Sequence, residues 1–567
     1  MKDYSKVPVK VQKKSGFDKS FQNLFTSKVG TITPILCDEL IPNTSVHLKA
    51  AISAALPPLA SDTFMRCQLK YAAFFVPTRI LVNGYEKWLT GENPDVMLPK
   101  LVIPSTIWSK DTGSTSVYFT LRKNLIGPGS LCDYLGYKIS ETTLKDAPSS
   151  ASDDTFRDVR LNALPFLAYH KIYNDWFRNS LVQRDIYSDD GVTHAKLYSP
   201  ANAPYVVPSS ANGYQMYAVG KTANVAGSPY YNDGVMLTSL RQANFGYDFF
   251  TMASPRAQNG KAQAVTMTEV DGGQGFTISA LRAANSMQQF LERNNLAGNR
   301  MVDYVRAQYG AHLSDSIAQR PILLGKGRFD LYSKGIYQTT PDDQNTSTSS
   351  RNPFNSVASR YGSAYADGQD TLIENFTAQE PGYLMVLAWL SPKVSYSTGI
   401  DPILTRYGSN SPSDMANPIL QNVGNEPIRS TQLSDNLMFS YEYPDQQATV
   451  FGYQERYGNW KDKQDEVHGL LRDGSSLQSF ALQRTFTGRP GTSGAIISTD
   501  FLQIPKDYLD QVSAVDGDIS NYGYWADTYF DYKVAMPLSE YSLPSLQDPA
   551  EEHGETIMVN KSGTQIN

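Results

Sequence analysis

The sequence predicts a mainly β protein in which one sheet system is interrupted by long loop insertions. Three observations predict it. The chain of 567 residues holds 35 Tyr and 24 Phe against 6 Trp, and Tyr and Phe favour pleated, half-buried surfaces. Short aromatic or alternating runs recur from one end of the chain to the other, where separate domains would cluster them. The stretches between these runs are rich in Gly, Ser, Asn, Asp and Tyr and carry no sustained period, as long surface loops do.

The first twenty residues carry Lys2, Lys6, Lys10, Lys13, Lys14 and Lys19 against Asp3 and Asp18. Few apolar groups accompany them, so this segment reads as a basic arm that an acidic partner would order. Residues 31–37 are extended, with Pro34 confining them to a sheet edge or a strand end. Residues 46–52 alternate at period two, and 70–77 form a compact aromatic strand closed by Pro77. Further strands are expected at 382–390, 438–443, 449–453 and 525–535.

Three helices stand out. The first spans 162–179, with Asn162 as cap, Pro165 near the first turn, and Phe166, Tyr169, Ile172, Tyr173, Trp176 and Phe177 as an aromatic stripe. The second spans 278–296 between Thr277 and Gly298, with Leu281, Ala284, Met287 and Leu291 on one face. The third spans 300–309 between Asn299 and Gly310 and is lined by Val302 and Val305. Residues 149–154, 209–233 and 339–370 read as loops, and loops beyond about 15 residues are usually functional. The expected organisation is an arm at 1–29 and one domain at 30–567, with insertions near 95–160, 185–275, 335–375 and 400–435.

Charge and chemistry exclude much. Lys and Arg number 50 against 56 Asp and Glu, a net charge of −6, so no global basic field makes the chain a nucleic-acid clamp. Cys37, Cys67 and Cys132 are odd in number and none sits at CxxC spacing. They are expected to be reduced and structural. The longest apolar run, 383–390, is far short of the roughly 20 residues that cross a bilayer. The N-terminus has no apolar core of a signal peptide.

No two of His47, His170, His194, His312, His468 and His553 lie close enough for a metal pair. His170, on the aromatic helix, reads as a packing histidine. There is no GxSxG elbow and no phosphate-cradling GxxxxGK[ST]. The clusters Gly325-Lys326-Gly327 and Gly272–Gly275 read as turns. Asp18, Asp38, Glu39, Glu86, Asp158 and Asp175 read as caps, turn residues or ion-pair partners, although a glycosidase pair is set in space and not by spacing. No catalytic, metal or cofactor residue is assigned.

Four blocks resemble the major capsid proteins of the microviruses, the small single-stranded-DNA phages, and most closely their gokushovirus-like branch. They are Gly16-Phe-Asp-Lys-Ser with Gly30 and the run from Ile35 to Pro42; Leu69 to Arg79 with Tyr85 to Glu92; Tyr173 to Asn179; and Leu281-Arg-Ala-Ala, Leu291-Glu-Arg and Arg320-Pro with Val450 to Tyr457. They run in family order across nearly the whole chain. The resemblance implies a viral jelly-roll β-barrel of eight antiparallel strands in two sheets. It implies a T=1 icosahedral shell of many copies, located in the virion, assembled in the host cytoplasm and enclosing circular single-stranded DNA without sequence preference. It also implies no enzymatic activity, no membrane insertion, internal scaffolding and minor virion proteins as partners, and a host surface receptor.

One departure stands out. The gokushovirus-like proteins carry a long insertion before the helix that here begins near Ile278, whereas 260–276 is short and the extra length lies near 188–236. Inside such a shell the lysine arm would meet DNA, because lysines neutralise phosphate and release counterions. A carbohydrate-binding or carbohydrate-cleaving jelly roll and a trimeric fibre protein would share the β-content and the tyrosines.

Overall fold

The computed structural model describes residues 6–11, 13–82, 85–92, 98–103, 126–140, 159–183, 206–209, 213–217, 238–260, 268–270, 273–275, 277–337, 360–405, 416–434, 450–486, 496–514, 521–540 and 555–560. Nine strands make the main sheet. They are β1 (Ser15–Asp18), β2 (Phe21–Ser27), β3 (Thr33–Leu40), β4 (Ser45–Ala55), β5 (Cys67–Pro77), β6 (Ile322–Tyr337), β7 (Arg360–Thr377), β8 (Gly382–Pro392) and β9 (Tyr524–Met536).

Every pairing among them is antiparallel. One half runs β2-β9-β4-β7, with β1 continuing β2 along the same edge of β9, and the other half runs β3-β8-β5-β6. The halves are joined where Tyr332–Tyr337 of β6 meet Arg360–Tyr365 of β7. Counting β1 and β2 as one edge, consecutive strands change halves at every step except β5 to β6. That is the double-sheet wrapping of a jelly roll.

The core follows from alternation. β4 buries every second residue, including Val46, Leu48, Ala50 and Ile52. Phe75 of β5 meets Phe376 of β7 across the barrel, ring centroids 5.1 Å apart. Strand β8 is buried on both faces, because Leu384 and Val386 face the barrel while a helix covers Met385 and Trp389 on the outside. This is why 383–390 reads as a continuous apolar run. Pro34 sits in β3, which pairs only with β8, so its missing N–H breaks no ladder.

The covering helix is α1 (Leu164–Ile172), prolonged by a π turn, Tyr173–Phe177. Asn162 Oδ1 accepts from Leu164 N at 3.0 Å. Trp176 and Phe177 lie 5.8 and 6.3 Å from the Phe74 ring, and Phe177 meets Trp389 edge-on at 4.9 Å. The second helix, α2 (Ile278–Ala297), is capped by Thr277 and ended by Gly298 as expected. Its expected apolar face is not covered, however. Leu281 and Met287 are exposed and only Asn295 is buried. Helix α3 (Met301–Tyr309) ends at the left-handed Gly310. Its cap position is Arg300, and Asn299 instead binds Asn259 and Ser180.

Several expectations are revised. The loop expected over 339–370 gives way to β7 from Arg360, and residues 338–359 lie outside the described residues. Gly362 and Gly368 broke the alternating pattern there. A Cβ at Gly368 would sit 2.2 Å from the Phe329 ring, so the barrel requires the glycine. Gly325-Lys-Gly327 is not a turn but lies within β6 at a register shift, with the Gly325 position pressed on Leu372 O. Within the expected loop 209–233, Gly213–Tyr217 form a strand between Lys100–Ile103 and Val206–Ser209. At the N-terminus, β1 and β2 already belong to the barrel, so strands begin before residue 30. The strand expected at 438–443 lies outside the described residues.

The added length sits in two crossovers, 78–321 between β5 and β6 and 393–523 between β8 and β9. They pack on each other through the bridges Asn244 to Gln503 and Ser254 to Tyr453.

Candidate functional site

The two halves of the barrel meet at a seam between edges β2 and β3. Asn23 Nδ2 donates to Ile35 O at 2.7 Å. Tyr532 of β9 donates its hydroxyl to Asp38 Oδ2 of β3, also at 2.7 Å. Lys19 Nζ pairs with Asp38 and lies 5.4 Å from the Tyr532 ring centroid. Burial, reinforced by Asp38, pushes the Tyr532 phenol well above its ordinary pKa. On the opposite side of the barrel, Tyr71 donates to Asp370 Oδ2 at 2.9 Å and its phenol is raised in the same way. Each junction is thus a tyrosine clamped on a carboxylate. A cleft of about 1580 Å³ opens along the seam, lined by Lys28, Lys138, Lys506, Tyr134, Tyr522 and Trp525 among others.

The expected DNA-binding lysines fall into different settings. Lys2 lies outside the described residues. Lys6 and Lys10 belong to a strand, Lys6–Val11, that pairs antiparallel with Glu555–Asn560. Lys13 and Lys14 are exposed, and Lys14 Nζ donates to Ser45 Oγ at 3.0 Å. Lys19 is matched by Asp38 at the seam. Lys6, Lys10, Lys13 and Lys14 precede the barrel, whereas Lys19 closes it.

The outer face of the β2-β9-β4-β7 half presents Trp525, Tyr529 and Tyr365, with Tyr332 beside them on β6. Lys334 Nζ lies 5.0 Å from the Tyr365 ring centroid. Exposed aromatics on a rigid sheet offer area at small entropic cost.

Sequence reasoning missed Arg484. It is buried between the two insertions, 4.2 Å from the Phe501 ring centroid, 4.5 Å from Phe245 and 4.9 Å from Phe486. Its Nη2 donates to Phe501 O at 2.7 Å. Burial lowers its pKa, while Tyr396, Tyr508 and Asp248 oppose that shift. Nothing in the local sequence sets this arginine apart, since its three rings arrive from distant segments.

The remaining titratable candidates serve packing. His170 is fully buried, and its Nδ1 receives Arg241 Nε at 3.2 Å. Cys67 and Cys132 are buried and Cys37 is half-buried, all as free thiols. Asp38 and Asp175 hold lysines, Lys19 and Lys171 respectively, and Asp18 accepts from Ser20. Those hydrogen bonds lower the Asp18 pKa. No described helix is long and apolar enough to cross a membrane.

Comparison with known proteins agrees with this architecture. The family described as capsid protein (F protein) matches residues 5–124 and 140–546. Capsid protein VP1 of Bdellovibrio phage phiMH2K is 24% identical over 96% of this chain and 97% of its own length. Capsid protein VP1 of Chlamydia phage 1 is also 24% identical, with the same coverage. Capsid protein VP1 of Spiroplasma virus 4 is 22% identical over 92% of this chain and 93% of its own length. A jelly roll with its added length in two crossovers, matched over both barrel and crossovers, makes this chain a member of the capsid protein (F protein) family, a major capsid protein of the microvirus type.

Proposed function

We propose that many copies of this chain assemble into a T=1 icosahedral shell around a circular single-stranded DNA genome. The observation that carries this reading is the family match running through the barrel and both long crossovers. A rigid jelly roll holds loop surface in fixed orientation, and obligate interfaces made from such surface commonly exceed about 2,000 Å². The exposed Trp525, Tyr529 and Tyr365 suit burial of that kind.

The protein acts structurally and not as an enzyme. It resides in the virion, assembles in the host cytoplasm with scaffolding and minor virion proteins, and meets a host surface receptor. The arm lysines Lys2, Lys6, Lys10, Lys13 and Lys14 neutralise DNA phosphate on the inside, where any sequence is tolerated. Lys19 belongs with them in sequence, but its charge is already matched by Asp38.

Analytical ultracentrifugation and negative-stain microscopy of native material test the proposal. Closed particles, sedimenting far ahead of the monomer, are expected. Monomer alone at every salt and protein concentration tried would refute it.

A further inference from the structure

Helix α2 is anchored on two sides and open on a third. Phe290 meets Tyr304 of α3 at 6.3 Å, and Asn294 Oδ1 accepts from Gln308 at 2.6 Å. On a second side, the buried Asn295 accepts from Ser254 Oγ and donates to Arg256 O at 2.8 Å. The third side carries Ile278, Leu281, Arg282, Asn285, Gln289, Glu292, Arg293 and Leu296, which fall within one stripe at 100° per residue. All are exposed except the half-buried Glu292. Ile278 is 68% exposed, Leu281 45% and Leu296 47%. Residues 278–283 are exposed all round. A helix so little covered draws scant stability from packing within its own chain.

This open face is symmetric in sequence. Its residues are spaced three, one, three, four, three, one and three apart, which reads the same in both directions about position 287. Laid antiparallel on a copy of itself, Ile278 meets Leu296, Leu281 meets the stem of Arg293, Arg282 meets Glu292, and Asn285 meets Gln289. A two-fold axis repeats each contact twice, the defining property of an isologous interface. The charges are complementary in that register. Neither Arg282 nor Arg293 has an ion-pair partner among the described residues. Glu292 receives Gln288 on Oε1 at 2.7 Å, and a carboxylate accepts further donors.

We infer that α2 is a two-fold contact between copies of this chain, pairing antiparallel with the α2 of a neighbouring subunit. The inference rests on the shell reading above and names one of its contacts.

Charge reversal in the full-length chain tests it. Arg282→Glu puts carboxylate opposite carboxylate at both ends of the pair, and Glu292→Arg puts guanidinium opposite guanidinium. Each is expected to lower the yield of closed particles about tenfold, because like charges across an interface are costly. The double variant is expected to restore the yield. Wild-type yield from the single variants, or no recovery in the double, would overturn the contact while leaving the shell intact. A variant combining Asn285→Cys with Gln289→Cys is expected to give disulfide-linked dimers when its particles are oxidised, and monomer alone would also overturn the pairing. If the wild type forms no particles, the shell reading fails. The same cysteine variant then decides helix pairing in solution, where monomer alone again overturns it.

Discussion

Burial governs the three thiols one by one. Each is pushed from its ordinary 9.0 to about 12, with burial as the first cause at Cys37, Cys67 and Cys132 alike. A folded pKa above the unfolded one stabilises the native state fully below the unfolded value. That contribution is lost as pH rises from about 9 toward 12. At neutral pH the reactive thiolate is suppressed. Alkylation by iodoacetamide, followed by mass spectrometry, is therefore expected to leave all three thiols unmodified in native protein and to label all three after denaturation. A disulfide found under non-reducing conditions would contradict this. Other single residues are constrained by approach. Gly30 has φ +69, and a Cβ there would lie 2.6 Å from Ile504 Cβ, so the β2–β3 turn can dock on the second crossover only with glycine.

At the scale of elements, α1 and β8 depend on each other. The helix makes the outer face of β8 a buried surface, and the strand gives the aromatic stripe something to cover. Trp176 fixes the end of that packing. Its Nε1 donates to Pro321 O at 2.9 Å, and Arg320 stacks 4.4 Å from its ring centroid. Since Pro321 immediately precedes β6, this contact seats the helix against the entry to the barrel's fifth crossing. Trp176→Ala is expected to cost about 3 kcal/mol, the low end for a large aromatic because the ring is only half-buried. Chemical denaturation of the soluble chain measures the loss, and particle yield should fall with it. An unchanged midpoint together with normal yield would show that the stripe contributes little.

At the scale of the molecule, the contrast is between an acidic chain of net charge −6 and its basic first twenty residues. Inside a shell, those lysines meet phosphate; outside, they would bind polyanions indiscriminately. Replacing Lys6, Lys10, Lys13 and Lys14 together with Gln removes four charges ahead of the barrel strands. Folding is expected to survive, whereas packaged genome per particle should drop and filled particles should lose stability. Nuclease-protected DNA measures the first effect and thermal release of DNA the second. Limited proteolysis of intact particles should leave the arm uncut. Normal packaging by the Gln variant would remove these lysines from the DNA interface, and cleavage of the arm with the genome retained would place it outside.

The sequence by itself determined the elements whose pattern is local. Period two in β4, the continuous apolar run of β8, the capped and stopped α2 and the aromatic stripe of α1 were all legible, because each is written in neighbouring residues. Family order in the quoted blocks supplied the jelly roll, which periodicity alone could not, since strand order is a matter of contacts between distant segments. Only the tertiary structure decided the rest. It turned Gly325, Gly327 and Gly368 from turn signals into the thin places where strands press on one another. It drew Lys19 out of the arm and onto Asp38, and Asp370 out of a loop and onto Tyr71. It assembled the aromatic cage of Arg484 from three separate stretches of chain. It also left α2 uncovered, where its pattern alone suggested a core-facing stripe. The physical reason is common to all of these. Propensity and periodicity describe what a residue prefers beside its neighbours, whereas close approach, ion pairing and exposure depend on which remote segment the fold brings opposite it.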